Sequence, residues 1–191
     1  MTRIIAGRAG GTTLEVPDRG TRPTSDRVRE SLFGALESAD AIEGARVVDL
    51  YAGSGALGLE AASRGAASVD LVEMGGPAAA IAQRNAARVS KSMGRGTPIR
   101  VHRAAVAAYL ARVRSFYDLA FLDPPYDLSD HDLAHALELL VPRLAPDALV
   151  IVERATRSGE PALPAGLVAD RSKRYGDTTL WWSIAAGADA D

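Results

Sequence analysis

The chain has 191 residues, 47% of them hydrophobic and 24% charged, with a formal net charge of −2 at pH 7. These values are typical of one globular domain with a small appendage, and no apolar run approaches the roughly 18 residues that span a membrane. The lack of cysteine excludes disulfides and thiolate metal sites. The first residues lack the apolar core of a signal peptide, so we expect a cytoplasmic protein.

Basic residues cluster in one part of the chain. Segment 74–117 contains eight Arg or Lys residues and no acid. Such a block can bind a polyanion locally even in a nearly neutral protein. The alternative is a solvated face in a protein that uses arginine in place of lysine.

The N-terminal segment predicts a small hairpin. Residues 3–16 alternate weakly between apolar and polar side chains around Gly10-Gly11, which suits two short strands at 3–6 and 12–16. We therefore expect a β-hairpin extension ahead of the main domain.

A helix is predicted from a cap within residues 24–26 to about Ser38, because apolar residues recur there at helical spacing. Its start carries Arg22, Arg27 and Arg29 close together. These arginines suit contacts with phosphates, although surface arginines on a capped helix are an equally good interpretation.

The stretch 47–58 is the centre of the sequence. An apolar run that contains Asp49 ends in a glycine-rich turn with Gly53 and Gly55, and a helical pattern begins at once. A strand, a tight turn and a helix start form the usual cradle of a nucleotide-like ligand, because the helix start presents free backbone N–H groups.

The remaining chain alternates strands and helices. Strands are predicted at 68–73, 99–102, 119–122 and 149–153. Helices are predicted at 77–89, 104–113 and 128–144. Alternation of this kind predicts a parallel sheet with helices on both faces. The end differs, because residues 167–174 and 178–184 read as a hairpin, which makes the last strand antiparallel.

The turn also matches G-x-G-x-x-G, and Glu73 lies 20 residues after Gly53 at the end of the next predicted strand. A carboxylate there can accept hydrogen bonds from ribose hydroxyls, so a nicotinamide enzyme is a rival interpretation. Asp49 argues against it, because an anion so near a pyrophosphate would repel it. S-adenosylmethionine carries an ammonium and a sulfonium, which favour a nearby carboxylate.

A second motif, Asp123-Pro124-Pro125-Tyr126, follows the predicted strand 119–122. Strand ends in such a sheet share one edge, so the tetrapeptide should face the same crevice as the glycine turn. The carboxylate of Asp123 and the carbonyl of Pro124 can accept both hydrogens of an exocyclic amino group. The prolines stiffen the turn, and Tyr126 offers a face on which a flipped base can stack.

The histidines indicate no catalytic constellation. His131 and His135 are spaced to share one helix face and could bind a metal. Three aspartates surround them, so an exposed polar face is the better interpretation, and we expect no metal.

At these motifs the chain resembles class I S-adenosylmethionine-dependent methyltransferases that act on exocyclic amino groups. The N-terminal pieces narrow the resemblance: Arg3-Ile4-Ile5-Ala6-Gly7, Gly10-Gly11 and the block R-P-T-S-D-R-V-R-E-S-L-F at 22–33 look like the RsmD family of 16S rRNA guanine-N2 methyltransferases. The resemblance covers nearly the whole chain.

The resemblance implies an α/β fold: a Rossmann-like seven-stranded class I methyltransferase sheet with an antiparallel last strand and a small N-terminal β-hairpin extension. The extension would occupy residues 1–20 and the methyltransferase domain residues 21–191. The enzyme would methylate the exocyclic N2 of one guanine in 16S rRNA, and its partner would be the small ribosomal subunit or its assembly intermediate.

The resemblance also assigns roles to residues. Asp49 and the turn would hold the methionine end of S-adenosylmethionine, Glu73 the ribose, and Met74 would pack beside the adenine. The cofactor-binding set is Asp49, Tyr51, Ala52, Gly53, Ser54, Gly55, Leu57, Glu73, Met74, Ala105 and Val106. The catalytic set is Asp123, Pro124, Pro125 and Tyr126. The substrate-binding set, on the RNA backbone together with the basic stretch after Arg84, is Arg22, Thr24, Asp26, Arg27 and Arg29.

One position departs from the family pattern. An acid or amide often follows the third strand of the family and reaches the adenine amino group, whereas this chain has Ala104-Ala105-Val106. The backbone of Ala105 or Val106 can still contact the adenine, but a side-chain contact is absent.

Two further functions compete with rRNA guanine methylation. An adenine-N6 methyltransferase acting on DNA or RNA would use the same Asp-Pro-Pro-Tyr turn, and only the N-terminal block favours rRNA. A non-catalytic RNA-binding assembly factor could keep the fold, but its motifs should then have decayed, and both are intact.

Overall fold

The central strand of the sheet is β3 (Arg46–Leu50), whose residues Val47, Val48 and Leu50 have no exposed surface. A run that is apolar on both faces is typical of a parallel strand covered by helices on each side. In the computed structural model, which describes residues 2–17, 26–94 and 96–187, this strand pairs in parallel with a neighbour on either side.

Seven strands form one mixed sheet in the order β5-β4-β3-β6-β7-β9-β8. The other strands of that sheet are β4 (Ser68–Glu73), β5 (Ile99–Arg103), β6 (Tyr117–Leu122), β7 (Leu144–Ala155), β8 (Leu167–Tyr175) and β9 (Thr178–Ala185). Strands β3 to β7 run parallel, and β9 is antiparallel to both β7 and β8. The predicted α/β fold with an antiparallel last strand is therefore confirmed.

Helices cover both faces of the sheet. They are α1 (Asp26–Ser38), α2 (Ala56–Ser63), α3 (Gly76–Met93), α4 (Val106–Arg112) and α5 (Asp130–Leu140). One apolar cluster, which includes Phe33, Leu59 and Phe121, joins α1, α2 and α3 to the sheet. A second, which includes Leu110 and Leu137, does the same for α4 and α5. Within the ranges that the structure describes, every helix is too short or too polar to cross a membrane.

The predicted helix at 128–144 is wrong in its C-terminal part. Helix α5 ends at Leu140, a 3₁₀ turn follows at Val141–Arg143, and Leu144 already belongs to β7. Pro142 lacks the N–H that would continue the helix, and Leu144 pairs with Tyr117 of the neighbouring strand. Strand β7 is consequently longer than the predicted 149–153.

Strand β8 forms one edge of the sheet, and its residues 168–174 are exposed. A register shift between Ala169 and Arg171 leaves Asp170 without a partner in the ladder. The guanidinium of Arg171 lies 4.2 Å from the ring centroid of Trp182 on β9. The edge is therefore polar, irregular and charged.

The N-terminal residues form the predicted hairpin as a separate two-stranded antiparallel sheet, β1 (Thr2–Arg3) and β2 (Thr13–Leu14). The predicted boundary at residues 20 and 21 lies outside the described residues and stays a prediction.

The carboxylate of Glu60, on α2, anchors this extension to the main domain. Its oxygens accept the backbone N–H groups of Ile5 (2.7 Å) and Ala6 (3.1 Å) and the Nε–H of Arg64 (2.7 Å). The Glu60 side chain is fully buried. A buried carboxylate is tolerable only with such donors, so the extension and the helix depend on each other.

We expect the Glu60→Gln variant to lose about 3 kcal/mol of unfolding free energy, because an amide replaces a buried charged acceptor and turns an N–H₂ group toward donors. Urea unfolding followed by circular dichroism measures this loss. The control is Glu37→Gln, since Glu37 binds the same Arg64 at 2.9 Å from a half-exposed position. It should cost less than about 1 kcal/mol. Equal losses in the two variants would contradict the anchoring role.

Candidate active site

A cavity of about 510 Å³ opens where β3, β4 and β6 end, at the edge predicted to bind ligand. It brings together most of the residues singled out in the sequence. Those that line it are Arg29, Asp49, Tyr51, Ala52, Gly53, Ser54, Leu57, Glu73, Met74, Ala105, Val106, Asp123, Pro124, Pro125 and Tyr126. The glycine turn and the Asp-Pro-Pro-Tyr turn therefore face one space.

Asp49 is buried beneath the glycine turn. Its Oδ2 accepts a hydrogen bond of 2.9 Å from the backbone N–H of Gly58, which is the third residue of α2. The bond therefore spans the turn between β3 and α2. The preceding cap residue, Gly55, has no side chain to offer, so Asp49 supplies the missing helix cap from the strand. Burial raises the pKa of Asp49 to about 7, against the lowering effect of the Gly58 hydrogen bond.

Gly55 and Gly58 allow the helix to approach the sheet. Gly55 adopts a left-handed φ of 82°, which favours glycine. A Cβ at Gly58 would lie 2.4 Å from Leu71 Cδ2 and 3.2 Å from Asp49 Cβ. Gly55, predicted as a cofactor contact, is not among the lining residues, and its role in the structure is to shape the turn.

Glu73 closes the glycine turn from the end of β4. Its two carboxylate oxygens accept the backbone N–H groups of Gly53 (2.9 Å) and Gly75 (2.6 Å). Each oxygen keeps a further lone pair. The carboxylate is thereby held in one orientation and can still accept hydrogen bonds from hydroxyl groups.

Tyr51 has a left-handed backbone with a φ of 63°, which is uncommon for a residue with a large side chain. Backbone strain of this kind persists only where surrounding structure enforces it and tends to cluster at functional sites. Burial, together with the nearby charge of Asp132, raises the pKa of the Tyr51 hydroxyl. Tyr51 is therefore a neutral group in the cavity wall.

Two large apolar side chains of the lining are unusually exposed. Met74 is 69% exposed and Tyr126 is 59% exposed. Exposed apolar groups at the edge of a cavity favour ligand contact, because covering them removes apolar surface from water. They flank the space on the Glu73 side and the Asp123 side respectively.

The predicted surface role of Arg29 is wrong, because its side chain is completely buried. Its Nη2 donates to the backbone carbonyl of Arg3 (2.8 Å) and to Asp26 Oδ1 (2.7 Å). These contacts fix α1 against the first strand. Among its companions, Asp26 and Arg27 are exposed and do not line the cavity, whereas Arg22 and Thr24 lie outside the described residues.

The predicted basic RNA surface is also partly neutralised. Arg84 and Arg88 both bind the carboxylate of Glu15 at 2.8 Å. Arg100 lies 3.4 Å from the buried Asp70. Because these three arginines already pair with acids of the protein, fewer of the predicted basic residues are candidates for contact with RNA phosphates.

Several lining residues were not predicted as site residues from the sequence, among them Val16, Asp132 and His135. Asp132 lies in the first turn of α5, where Ser129 Oγ donates to its carboxylate at 2.7 Å. This hydrogen bond, followed by the nearby His131, lowers the pKa of Asp132. The sequence signal was the position of α5, which begins directly after the Asp-Pro-Pro-Tyr turn. His135 is half-exposed at the cavity wall rather than on a purely solvated face.

Asn85 of α3 connects the N-terminal extension to the glycine turn. Its Nδ2 donates to the carbonyls of Glu15 and Ser54, both at 2.9 Å, and its Oδ1 accepts the Glu15 N–H at 2.9 Å. The Asn85 side chain is buried. One amide thereby holds two segments that the sequence separates widely.

Across residues 2–17, 26–94 and 96–187, no group of three or more histidines and acids is arranged to hold a metal ion.

Comparison with known proteins agrees with this geometry. The family model described as conserved hypothetical protein 95 matches residues 2–184. Ribosomal RNA small subunit methyltransferase D of Escherichia coli K12 is 38% identical over 195 residues, covering 99% of this chain and 94% of that protein.

Solved structures show the same fold. The Escherichia coli protein yhhF superimposes with a TM-score of 0.82 and 34% identity, covering 97% of this chain and 98% of that one. Magnesium protoporphyrin IX methyltransferase of Synechocystis, solved with bound S-adenosylmethionine, has a TM-score of 0.65 at 15% identity, covering 84% of this chain and 79% of that one. The family model and the full-length similarity together show that the chain belongs to the RsmD family of methyltransferases, as its motifs predicted.

Proposed function

We propose that this protein transfers a methyl group from S-adenosylmethionine to the exocyclic N2 of one guanine in 16S rRNA. The observation that carries the proposal is the shared cavity: the glycine turn, Glu73 and the turn from Asp123 to Tyr126 line the same space. A nucleotide-like cofactor and a base bearing an amino group can meet there.

The residues present fit this cofactor. The buried carboxyl of Asp49 and the oriented carboxylate of Glu73 both line the cavity. They suit an ammonium and a pair of ribose hydroxyls respectively. Exposed Met74 suits the face of an adenine. When bound, the cofactor supplies an electrophilic methyl group.

The turn from Asp123 to Tyr126 suits the target base. Asp123 and Pro124 offer a carboxylate and a carbonyl, and both hydrogens of an amino group need such acceptors. Hydrogen bonds to these two hydrogens orient the nitrogen. No general base is needed, since a proton can leave the nitrogen after methyl transfer. Tyr126 is largely exposed and offers an aromatic face on which an extruded base would stack.

The rRNA substrate is inferred from the relatives. The Escherichia coli relative is named for the RNA of the small ribosomal subunit and matches nearly the full length of this chain. We infer that the partner is 16S rRNA in the small subunit or in its assembly intermediate. Exposed Arg27 suits contact with the RNA backbone.

The direct test is transfer of labelled methyl from S-adenosylmethionine to small subunits assembled in cells that lack this protein, followed by nucleoside analysis. We expect label in N2-methylguanosine, because the cavity joins cofactor and amino-group acceptors. Subunits from cells that contain the protein are the control and should accept little label. Label in N6-methyladenosine would refute guanine as the target, and no label would refute the activity on this substrate.

Replacing Asp123 separates catalysis from cofactor binding. Asp123→Ala should lower methyl transfer at least about a hundredfold, because the amino group loses a charged acceptor that fixes its orientation. Affinity for S-adenosylmethionine, measured by calorimetry, should stay within about tenfold. Asp127→Ala is the control, since Asp127 is exposed and does not line the cavity. Full activity in the Asp123 variant would remove this residue from the mechanism.

Ionisation of Asp49 should make cofactor binding depend on pH. Because its pKa is raised to about 7, the carboxyl group of Asp49 is protonated in mild acid when no ligand is bound. The ammonium of a bound ligand favours the ionised carboxylate instead. Binding therefore releases a proton below the pKa of Asp49. Affinity for S-adenosylhomocysteine, measured by calorimetry, should rise up to about tenfold from about pH 6 to about pH 8.

Two controls isolate this effect. 5′-Methylthioadenosine lacks the amino-acid end and should show no such rise. Asp49→Asn, which cannot ionise, should also abolish it. The same pH dependence in the Asn variant would show that another group is responsible.

A further inference from the structure

Some basic residues of the chain pair with the protein's own acids, whereas others keep their charge uncompensated. Three exposed cations form no ion pair with any residue that the structure describes: Arg157, Lys173 and Arg174. Lys173 donates to the hydroxyl of Ser31 at 3.0 Å, and Arg174 donates to the carbonyl of Gly176 at 2.9 Å. Both acceptors are neutral, so these cations remain available to an anion from outside the protein.

The three cations meet at the tip of the hairpin formed by β8 and β9. Arg157 lies in a 3₁₀ turn that directly follows β7. The backbone N–H of Thr156 in this turn donates to the Asp177 carbonyl at 2.7 Å, and its hydroxyl donates to the Gly176 carbonyl at 3.3 Å. Arg174 binds the same Gly176 carbonyl. We call the three cations the hairpin-tip surface.

The hairpin-tip surface lies at the edge of the sheet where the cavity opens. Leu122, the last residue of β6, pairs with Val152, so β7 continues beyond the end of β6, beside the turn that begins at Asp123. Further along β7, Ala155 pairs with Thr178, the first residue of β9. The turn between β8 and β9 therefore shares this edge with the turn proposed to hold the target base.

Arg154 connects the hairpin tip to the helix that follows the target-base turn. Its guanidinium binds the carboxylate of Asp130, the first residue of α5, and its side chain is largely buried. Within the sheet, Arg154 and Arg174 lie on either side of Thr179. Adjacent strands are about 4.8 Å apart, so about 10 Å separates the backbones of the two arginines. The hairpin tip is therefore near enough to contact nucleotides beside a base held in the cavity.

The first helix extends the basic surface on its other side. The hydroxyls of Ser31 and Tyr175 are hydrogen-bonded at 2.7 Å, and Lys173 binds the same serine. Arg27 lies four residues before Ser31, one helical turn away, and is exposed. A polyanion at the hairpin tip could thus continue to Arg27.

A base that leaves its stack to enter the cavity leaves its adjoining phosphates outside. Arginine and lysine side chains make most such phosphate contacts. Segments 156–158 and 173–177 together contain three cations and one acid, Asp177. We propose that the hairpin-tip surface binds the phosphates of the RNA strand that flanks the target base. This inference rests on the proposed function and places the main RNA contact outside the basic segment 74–117.

The test is the binding of the protein to small subunits from cells that lack it, measured over a range of salt concentrations. The triple variant Arg157→Gln, Lys173→Gln, Arg174→Gln should bind about tenfold to a hundredfold more weakly at low salt, because its phosphate contacts are lost. The slope of log affinity against log salt should fall by about 2, since each lost contact releases fewer counterions. Affinity for S-adenosylhomocysteine should not change, because the three residues do not line the cavity.

The control variant, Lys91→Gln, Arg112→Gln, Arg114→Gln, removes the same charge from the opposite edge of the sheet. These residues are exposed and lie near the ends of α3 and α4 and before β6. The control should keep its affinity for small subunits within about threefold. Equal losses in the two triple variants would show that net charge alone decides binding and would overturn the proposal. Unchanged binding together with self-association of the hairpin-tip variant would assign its cations to protection of the edge strand, which overturns the proposal too.

The chain has two lysines, and their positions allow a measurement on the unaltered protein. Lys173 belongs to the hairpin-tip surface, whereas Lys91 lies at the opposite edge, and both are exposed. Bound small subunits should slow acetylation of Lys173 several-fold and leave that of Lys91 nearly unchanged, as read by mass spectrometry. Equal effects on the two lysines, whether large or absent, overturn the hairpin-tip surface alone. Failure of the unaltered protein to bind small subunits overturns the proposed rRNA partner as well.

Discussion

The hydrogen bond from the Gly58 N–H to Asp49 is the constraint on which the site depends. It joins the end of the central strand to the first turn of α2 and caps a helix whose own cap residue is glycine. The bond requires a close approach that a side chain at Gly58 would prevent. Together with the hydrogen bonds that join Gly53 to Glu73 and Ser54 to Asn85, it holds the shape of the turn.

The extension at the N-terminus is part of the same framework. Glu60 and Asn85, both buried, each hold it by hydrogen bonds to its backbone. Asn85 also binds the carbonyl of Ser54 inside the glycine turn. The catalytic domain and its small appendage are therefore joined by polar contacts that would be costly to break in the absence of water. The hairpin needs no apolar core of its own, because Ile4, Ala9 and Leu14 are buried in the apolar cluster of the main domain.

The sequence predicted the order of the strands and helices and most of the cavity wall, because periodicity, turn chemistry and spacing are local properties. It failed where distant segments decide the outcome. Arg27 and Arg29 look alike in the sequence, yet Arg29 is buried because the Arg3 carbonyl and Asp26 meet it there. Likewise, α5 ends earlier than predicted because Leu144 pairs with Tyr117 in the sheet. Asp132 lines the cavity because of where α5 packs in the fold.

The charged outer strand β8 has a consequence for behaviour at high concentration. An edge strand offers unpaired N–H and C=O groups that can recruit a strand from a second copy and begin aggregation. Here the register shift between Ala169 and Arg171 interrupts the edge, and Lys173 and Arg174 add charge beside it. A second copy would have to desolvate these charges and match an irregular ladder. Both features oppose the addition of a further strand at this edge of the sheet.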